Sequence, residues 1–176
     1  IEQREYGIPH NVKTLAEYLK PLSYSTAAFG KWHEGFAEEF QPHNRGFDHF
    51  WGFLWGSNNY NPGTAKGVIE NEKMVDPATI PYMTDAITNE ALSFLKDQKD
   101  KPFFLYVAYN AVHSPMQAKK EHLKLFKDIF PGDKKRAVLA AMTYSLDENV
   151  GKIFAQLESS RQLDNTIIFF LNDNGG

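Results

Sequence analysis

Three short polar clusters carry side chains that could bind an anion or a metal ion. Lys31 and His33 lie in "FGKWHEG", His113 in "AVHSP", and Asp173 and Asn174 in "NDNGG". Aspartate and asparagine offer the hard oxygen ligands that suit Ca²⁺ or Mg²⁺. Lysine and histidine donate hydrogen bonds to a tetrahedral oxyanion, and a histidine can also protonate a leaving oxygen near neutral pH. Such a set suits metal-assisted hydrolysis of a sulfate or phosphate ester.

Each cluster follows an apolar run with the composition of a β-strand. The runs are residues 24–30, 101–110 and 165–173, and the last two are apolar almost throughout, which is typical of strands buried on both faces. In open α/β sheets, ligands bind beyond the carboxyl ends of the strands. If the three strands are parallel, all three clusters lie at one edge of one sheet.

Helical periodicity separates these apolar runs. Hydrophobic residues recur at helical spacing in 14–20, 82–98 and 134–160, and a shorter helical piece covers 122–126. Helices that alternate with apolar strands predict an α/β fold with a mostly parallel sheet flanked by helices. Because the chain shows neither a repeat nor a linker, we expect one domain over residues 1–176.

Residues 34–82 are rich in Gly, Pro, Asn and aromatic residues and lack a long periodicity, which predicts a long structured loop. We interpret Arg45 and Asp48 as a structural pair that fixes this loop. The stretch "WGSNNYNPG" is consistent with a pocket for sugar hydroxyls and equally with a turn-rich surface loop.

Each cluster also has a purely structural interpretation. Asn-Gly and Gly-Gly favour turns, so "DNGG" is consistent with a turn alone. His113 is consistent with a core histidine or a loop cap. Lys31 is consistent with a solvated surface residue, and His33 with a ring stacked on Trp32 or another aromatic. The other histidines show no paired ligand spacing (His10, His43, His49 and His122).

Charge and composition narrow the class of protein. The chain has 176 residues, a net charge of −3 and no cysteine. The slightly negative net charge gives no indication of a nucleic-acid partner. The absence of cysteine excludes a disulfide, a thiolate metal site and a cysteine nucleophile within this sequence. No apolar run approaches the roughly 18 residues of a membrane span, and the polar start "IEQREYGIPH" is not a signal peptide.

Four segments resemble, in the right order, the pattern of type I sulfatases within the alkaline-phosphatase-like superfamily. They are "TLAEYLK…YSTAAFGKWHEG", "RGFDHFWGF", "PFFLYVAYNAVHSPMQA" and the stretch ending in "DNTIIFFLNDNGG". The resemblance spans nearly the whole chain, and G-K-W-H together with D-N-G-G is its most specific part. The chain departs from the family at Glu34, where Leu is frequent, and at Asn172, where Ser is frequent.

The resemblance implies a role for each candidate residue and an alkaline-phosphatase-like core. Lys31 is expected to contact the sulfate and the nucleophile, and His33 to hydrogen-bond the nucleophile and help regenerate it. His113 is expected to bind the sulfate and protonate the leaving alcohol. Asp173 and Asn174 are expected to ligate a divalent cation, usually Ca²⁺, with Mg²⁺ as the alternative.

The resemblance also implies parts that this sequence lacks. The family's nucleophile is a formylglycine made from Cys or Ser in C/S-x-P-x-R, and the chain contains no such sequence. We therefore expect an internal part of a larger sulfatase catalytic domain, inactive alone, whose nucleophile is supplied from outside it. A phosphodiesterase or phosphonate monoester hydrolase of the same superfamily and a non-catalytic binding or structural module are the alternatives.

The expected partner is a sulfated small molecule or a sulfated glycan, with no nucleic acid and no membrane span. By resemblance, we expect an exported protein that is periplasmic, secreted or lysosomal. The sequence carries no signal for an oligomeric state.

Overall fold

A computed structural model describes residues 6–98, 101–172 and 174 of the chain. The helices are α1 (Leu15–Leu19), α2 (Met83–Asp97), α3 (Lys120–Phe126) and α4 (Lys134–Ser159). The strands are β1 (Ser25–Lys31), β2 (His49–Phe53), β3 (Val68–Glu70), β4 (Lys73–Met74) and β5 (Phe103–Ala108). The predicted α/β class is confirmed, and the predicted loop over 34–82 in fact contains three short strands. None of the described helices is long and apolar enough to cross a membrane.

The five strands form one mixed sheet in the order β4-β3-β2-β1-β5. Its centre is parallel, because β1 pairs in parallel with both β2 and β5, whereas β3 and β4 extend it in antiparallel fashion. The strands predicted over 24–30 and 101–110 are therefore both present, as β1 and β5, and they are neighbours in the sheet. Their carboxyl ends lie at the same edge of the sheet.

Alternate residues of β1 pack on opposite faces of the sheet, as the two-residue period of a strand requires. Ala27 and Phe29 join the larger core beneath α2, and α4 packs on the outside of α2. Ala28 faces the other side, where it packs with Ala16 of α1. Both faces of β1 are therefore covered, which explains its unbroken apolar run.

Arg45 is fully buried and pairs with α1. Its Nε lies 3.3 Å from Glu17 Oε1, and its guanidinium also donates to the carbonyls of Ile8 and Val12. Glu17 in turn forms a capping box with Thr14 at the start of α1. Burial raises the pKa of Glu17, but the hydrogen bonds from Thr14 and Arg45 outweigh it and leave that pKa below its ordinary value.

Asp48 has different partners from Arg45, so the predicted Arg45–Asp48 pair is wrong. The Asp48 carboxylate lies 2.6 Å from Lys20 Nζ and accepts hydrogen bonds from the backbone and hydroxyl of Thr26. Each of the two residues still fixes the segment around it, as predicted. The sequence could not pair them correctly because their true partners are distant: Glu17 lies 28 residues from Arg45, and Thr26 lies 22 residues from Asp48.

The prediction of a buried strand over 165–173 is wrong for the residues that the structure describes. Residues 163–165 form a 3-10 turn, and residues 166–172 belong to no strand. Ile167, Phe169 and Leu171 are 84%, 79% and 83% exposed. The run has strand composition, but a strand forms only where a neighbour satisfies its backbone groups.

Candidate anion-binding site

The register of the parallel sheet brings two of the three polar clusters to one edge. Gly30 of β1 lies opposite Ala108 of β5, and Lys31, the last residue of β1, lies opposite Phe53 of β2. The turn that carries His113 follows β5 directly. The loops after β1, β2 and β5 thus leave the sheet side by side.

Gly30 of the "GKWH" segment permits this close packing of strands. Its φ is +112°, and a Cβ placed there would lie 2.1 Å from the carbonyl oxygen of Ala108. A side chain cannot be accommodated at that distance, so β1 and β5 approach one another only because residue 30 is a glycine. The backbone that presents Lys31 depends on this contact.

The chain turns sharply after β1 and exposes His33. Its φ is +56°, and its backbone nitrogen donates to the carbonyl of Leu54 at 3.2 Å. The imidazole lies over Gly56, where a Cβ would come within 2.8 Å of the ring, and contacts Phe36 edge-on at 6.4 Å between ring centroids. The aromatic neighbour of His33 is therefore Phe36.

Trp32, between the two candidate residues, points into the core. It is 4% exposed, and its indole Nε1 donates to the carbonyl of Phe40 at 2.9 Å. Trp32 therefore anchors the turn from the inside. Lys31 is half-buried and His33 is exposed, so the functional candidates are the residues on either side of this anchor.

The second cluster is held by a buried tyrosine that the sequence did not single out. The Tyr60 hydroxyl lies between the carbonyl oxygens of Asn110 and His113, the latter at 2.8 Å, and its single hydrogen is shared between these two ends of the turn. Burial raises the pKa of Tyr60 well above its ordinary value, so its hydroxyl remains a donor. The backbone nitrogen of His113 closes the turn on the carbonyl of Asn110 at 2.8 Å.

The imidazole of His113 is exposed, and its tautomer follows from its neighbour. Nδ1 lies 2.8 Å from the carbonyl oxygen of Ser114. Because a carbonyl oxygen only accepts, Nδ1 carries the hydrogen of this bond. Nε2 is then the ring atom that can give a proton to, or take one from, a bound molecule.

The "WGSNNYNPG" stretch supports this turn from the inside. Asn58 is buried and bonds the backbone of Lys66 and Asn59, and the Tyr60 nitrogen donates to Gln117 Oε1 at 2.8 Å. Asn58 and Tyr60 are thus turned inward. The sequence offers no local signal for these contacts, because Tyr60 and Gln117 lie 57 residues apart.

Of the two candidate residues in the third cluster, the described part of the chain includes only Asn174. Asp173 lies outside the described residues, and Asn174 is an exposed residue at a bend. Ca²⁺ takes six to eight oxygen ligands. Of the predicted pair, the described part of the chain supplies the Asn174 amide alone, so it does not form a calcium site by itself, and the assignment of Asp173 and Asn174 stays a prediction.

Comparison with known proteins agrees with the fold and with the order of the motifs. The family model described as "Sulfatase" matches residues 2–176. An uncharacterized sulfatase YdeN of Escherichia coli K12 is 37% identical over 96% of this chain, and mouse arylsulfatase J is 36% identical over 96%. The crystal structure of Ps i-CgsB superimposes with a TM-score of 0.84 at 35% identity, covering 91% of this chain and 39% of its own.

The chain belongs to the sulfatase family. It spans about a third of the length of the curated relatives named here, 34% of YdeN and 30% of arylsulfatase J. The described fold is therefore one part of the structure that these relatives possess.

Proposed function

We propose that this chain forms the part of a sulfuric ester hydrolase that binds the sulfate group and protonates the leaving alcohol. One observation carries the proposal. In a chain of the sulfatase family, the parallel pairing of β1 with β5 places Lys31 and His113 at the same edge of the sheet.

The chemistry of these side chains fits their proposed roles. Lys31 supplies a positive charge at the strand end, which stabilises the negative charge of a sulfate oxygen. His113, whose Nδ1–H is bonded to Ser114, first has to take up a proton at Nε2, and in that protonated form it donates this proton to the leaving oxygen. His33, exposed beside them on the turn after β1, assists the regeneration of the nucleophile.

Two further components of the reaction are proposed to lie outside this chain. A formylglycine of the longer protein would supply the nucleophile, and a divalent cation, Ca²⁺ or Mg²⁺, would supply positive charge, with Asp173 and Asn174 among the residues that would hold it. Within this chain, Lys31 and His113 are proposed to bind and orient the sulfate. The isolated chain is therefore proposed to be inactive.

The proposed substrate class is a sulfated glycan or a sulfated small molecule. The solved structure of Ps i-CgsB with k-i-k-neocarrahexaose is 36% identical to this chain with a TM-score of 0.82, which supports an oligosaccharide. An exported location, periplasmic, secreted or lysosomal, accompanies this proposal on the basis of the sulfatase family alone.

The reaction class is tested with the full-length protein and two matched esters, 4-nitrophenyl sulfate and 4-nitrophenyl phosphate. The proposal expects a higher kcat/KM for the sulfate ester. A higher kcat/KM for the phosphate ester would assign the protein to the phosphohydrolases of the superfamily. Turnover of neither ester nor of a sulfated oligosaccharide would support a non-catalytic module.

A further inference from the structure

We propose a divalent-cation site, separate from the sulfate-binding edge, formed by Glu38, His43 and Glu72. These three residues come from separate segments of the chain, and none is among the predicted catalytic or metal-binding residues. One possible ligand atom of each lies within 4.8 Å of the others. The proposal does not depend on the reaction that the protein catalyses.

Three separate pieces of backbone bring the ligands together. Glu38 begins a 3-10 turn over Glu38–Phe40, and His43 lies in the next turn, Pro42–Arg45. Glu72 lies at the tip of the hairpin between β3 and β4, and its Oε1 is 3.9 Å from His43 Nε2. A bound cation would therefore tie the hairpin to two turns, Glu38–Phe40 and Pro42–Arg45.

The hydrogen bonds of Asn44 establish which form of His43 faces the carboxylates. Asn44 Nδ2 donates to the carbonyl of Glu38 at 2.8 Å, and this bond fixes the amide so that its nitrogen also faces His43 Nε2 at 3.0 Å. A donor that faces Nε2 leaves this atom with its lone pair. His43 Nε2 is therefore an acceptor that shares the cluster with two carboxylates.

The imidazole nitrogen of His43 and the two carboxylates are three acceptors that face one another, and a positive charge between them would be favourable. A divalent cation could supply this charge by displacing the Asn44 N–H that faces Nε2. The other N–H of the Asn44 amide would keep its bond to the Glu38 carbonyl. One imidazole nitrogen with two carboxylate oxygens is a donor set that Zn²⁺ accepts in tetrahedral geometry, with water as the fourth ligand. Such ligands lie about 3.3 Å apart, because metal–ligand distances are about 2.0–2.1 Å.

The burial pattern is compatible with the small movement that closure requires. The His43 side chain is 24% exposed and is held by its turn, whereas the Glu72 side chain is 75% exposed and can rotate toward it. The two carboxylates can therefore close on a fixed imidazole. Zn²⁺ is the probe that suits this mixed nitrogen and oxygen set best.

The test is calorimetric titration of the full-length protein with Zn²⁺, wild type against His43→Gln and Glu72→Gln. His49→Gln is the matched control, since His49 Nε2 lies 3.3 Å from a single carboxylate, Glu70 Oε1, on the same part of the sheet. Glutamine keeps the bulk of each side chain but removes the ligand atom. Thermal unfolding without metal establishes that each variant folds.

We expect the wild type and His49→Gln to bind one more Zn²⁺ per chain than His43→Gln does. We expect Glu72→Gln, altered at a position that is 75% exposed, to bind this ion at least about tenfold more weakly. Zn²⁺ should also raise the melting temperature of the wild type more than that of His43→Gln. Equal stoichiometry and affinity in the wild type, His43→Gln and Glu72→Gln would overturn the proposal.

Discussion

At the residue scale, the charged candidates Lys31 and His113 depend on uncharged neighbours: Gly30 permits close packing of β1 on β5, and the Tyr60 hydroxyl holds the turn of His113. Lys31 and His113 could be found because each follows an apolar run, and strand ends in parallel sheets are where ligands gather. Tyr60 could not be found, because its function is set by a turn about 50 residues away in the chain. Gly30 was not singled out in the sequence either, because the carbonyl of Ala108 that it faces lies far away in the chain.

We predict that Tyr60→Phe loosens the turn between Asn110 and His113. The change removes the one buried O–H that the two carbonyls share, and only the Asn110 carbonyl keeps another donor, the His113 nitrogen, so the free energy of unfolding should fall by about 1–3 kcal/mol. Denaturant unfolding measures this loss, and kcat/KM for a sulfate ester should fall with it. Tyr18→Phe is the control, since Tyr18 is exposed; an equal, negligible effect of both changes would show that the Tyr60 hydroxyl does not hold the turn.

We predict that Gly30→Ala destabilises the protein more than Gly132→Ala. Both glycines have a positive φ, +112° and +85°, so both changes cost about 1–3 kcal/mol in backbone strain. Only Gly30 adds a clash, with the carbonyl oxygen of Ala108 at 2.1 Å, because a Cβ at Gly132 meets nothing within 4 Å. Thermal unfolding of the two variants compares these costs directly. Equal melting temperatures would contradict the close packing of β1 on β5.

At the element scale, amphipathic periodicity predicted α2 and α4 to within a residue or two at either end, because each buries one face, although that face also includes polar residues such as Thr88 and Asn149. The helix predicted over 14–20 is present as α1, but its large apolar residues Leu15 and Tyr18 are exposed and Ala16 is the buried residue. In so short a helix, the capping box and the Arg45–Glu17 pair decide the orientation, and neither is visible in a hydrophobic pattern.

We predict that the stabilisation that Glu17 provides, through its pair with Arg45 and its capping box with Thr14, is lost in acid. The pKa of Glu17 is lowered in the folded state, so the unfolded state binds the proton more readily. Stability from this group is therefore present above its ordinary value of 4.5 and is lost as pH falls toward the lowered pKa.

Unfolding by denaturant between about pH 6 and pH 3 compares the wild type with Glu17→Gln. The variant should start less stable and lose less stability on acidification, because the substituted amide has no proton to bind in this range. Glu158→Gln serves as the control at an exposed helical position. Parallel pH profiles for the wild type and Glu17→Gln would contradict this assignment.

At the scale of the whole molecule, the fold class could be predicted because helices and apolar strands alternate along the chain. The failure over 165–173 also belongs to this scale, since whether an apolar run becomes a strand depends on an available neighbour. Within the described residues, β5 pairs with β1 alone, at the border of the sheet. The exposed segment 167–171 and the open side of β5 together leave a large apolar surface uncovered.

We predict that the 176-residue polypeptide, produced by itself, self-associates through residues 167–171. Five consecutive large apolar residues in solvent exceed what monomeric proteins usually expose. Light scattering and dye binding to apolar surface should both decrease when Ile167, Phe169 and Leu171 are replaced by lysine. Ile129→Lys, at an exposed isolated position, should leave both signals unchanged. A monomeric wild-type polypeptide that binds no dye would contradict the prediction.

The most direct test of the central claim is kcat/KM for 4-nitrophenyl sulfate in the full-length protein carrying Lys31→Ala. Lys73→Ala, an exposed lysine on β4, is the control for loss of one positive charge. Since removal of one charge-stabilising donor costs about 10²–10³ in rate, we expect at least about a 100-fold loss for Lys31→Ala and none for Lys73→Ala. If correctly folded Lys31→Ala protein retains wild-type kcat/KM, the β1 end does not bind the sulfate.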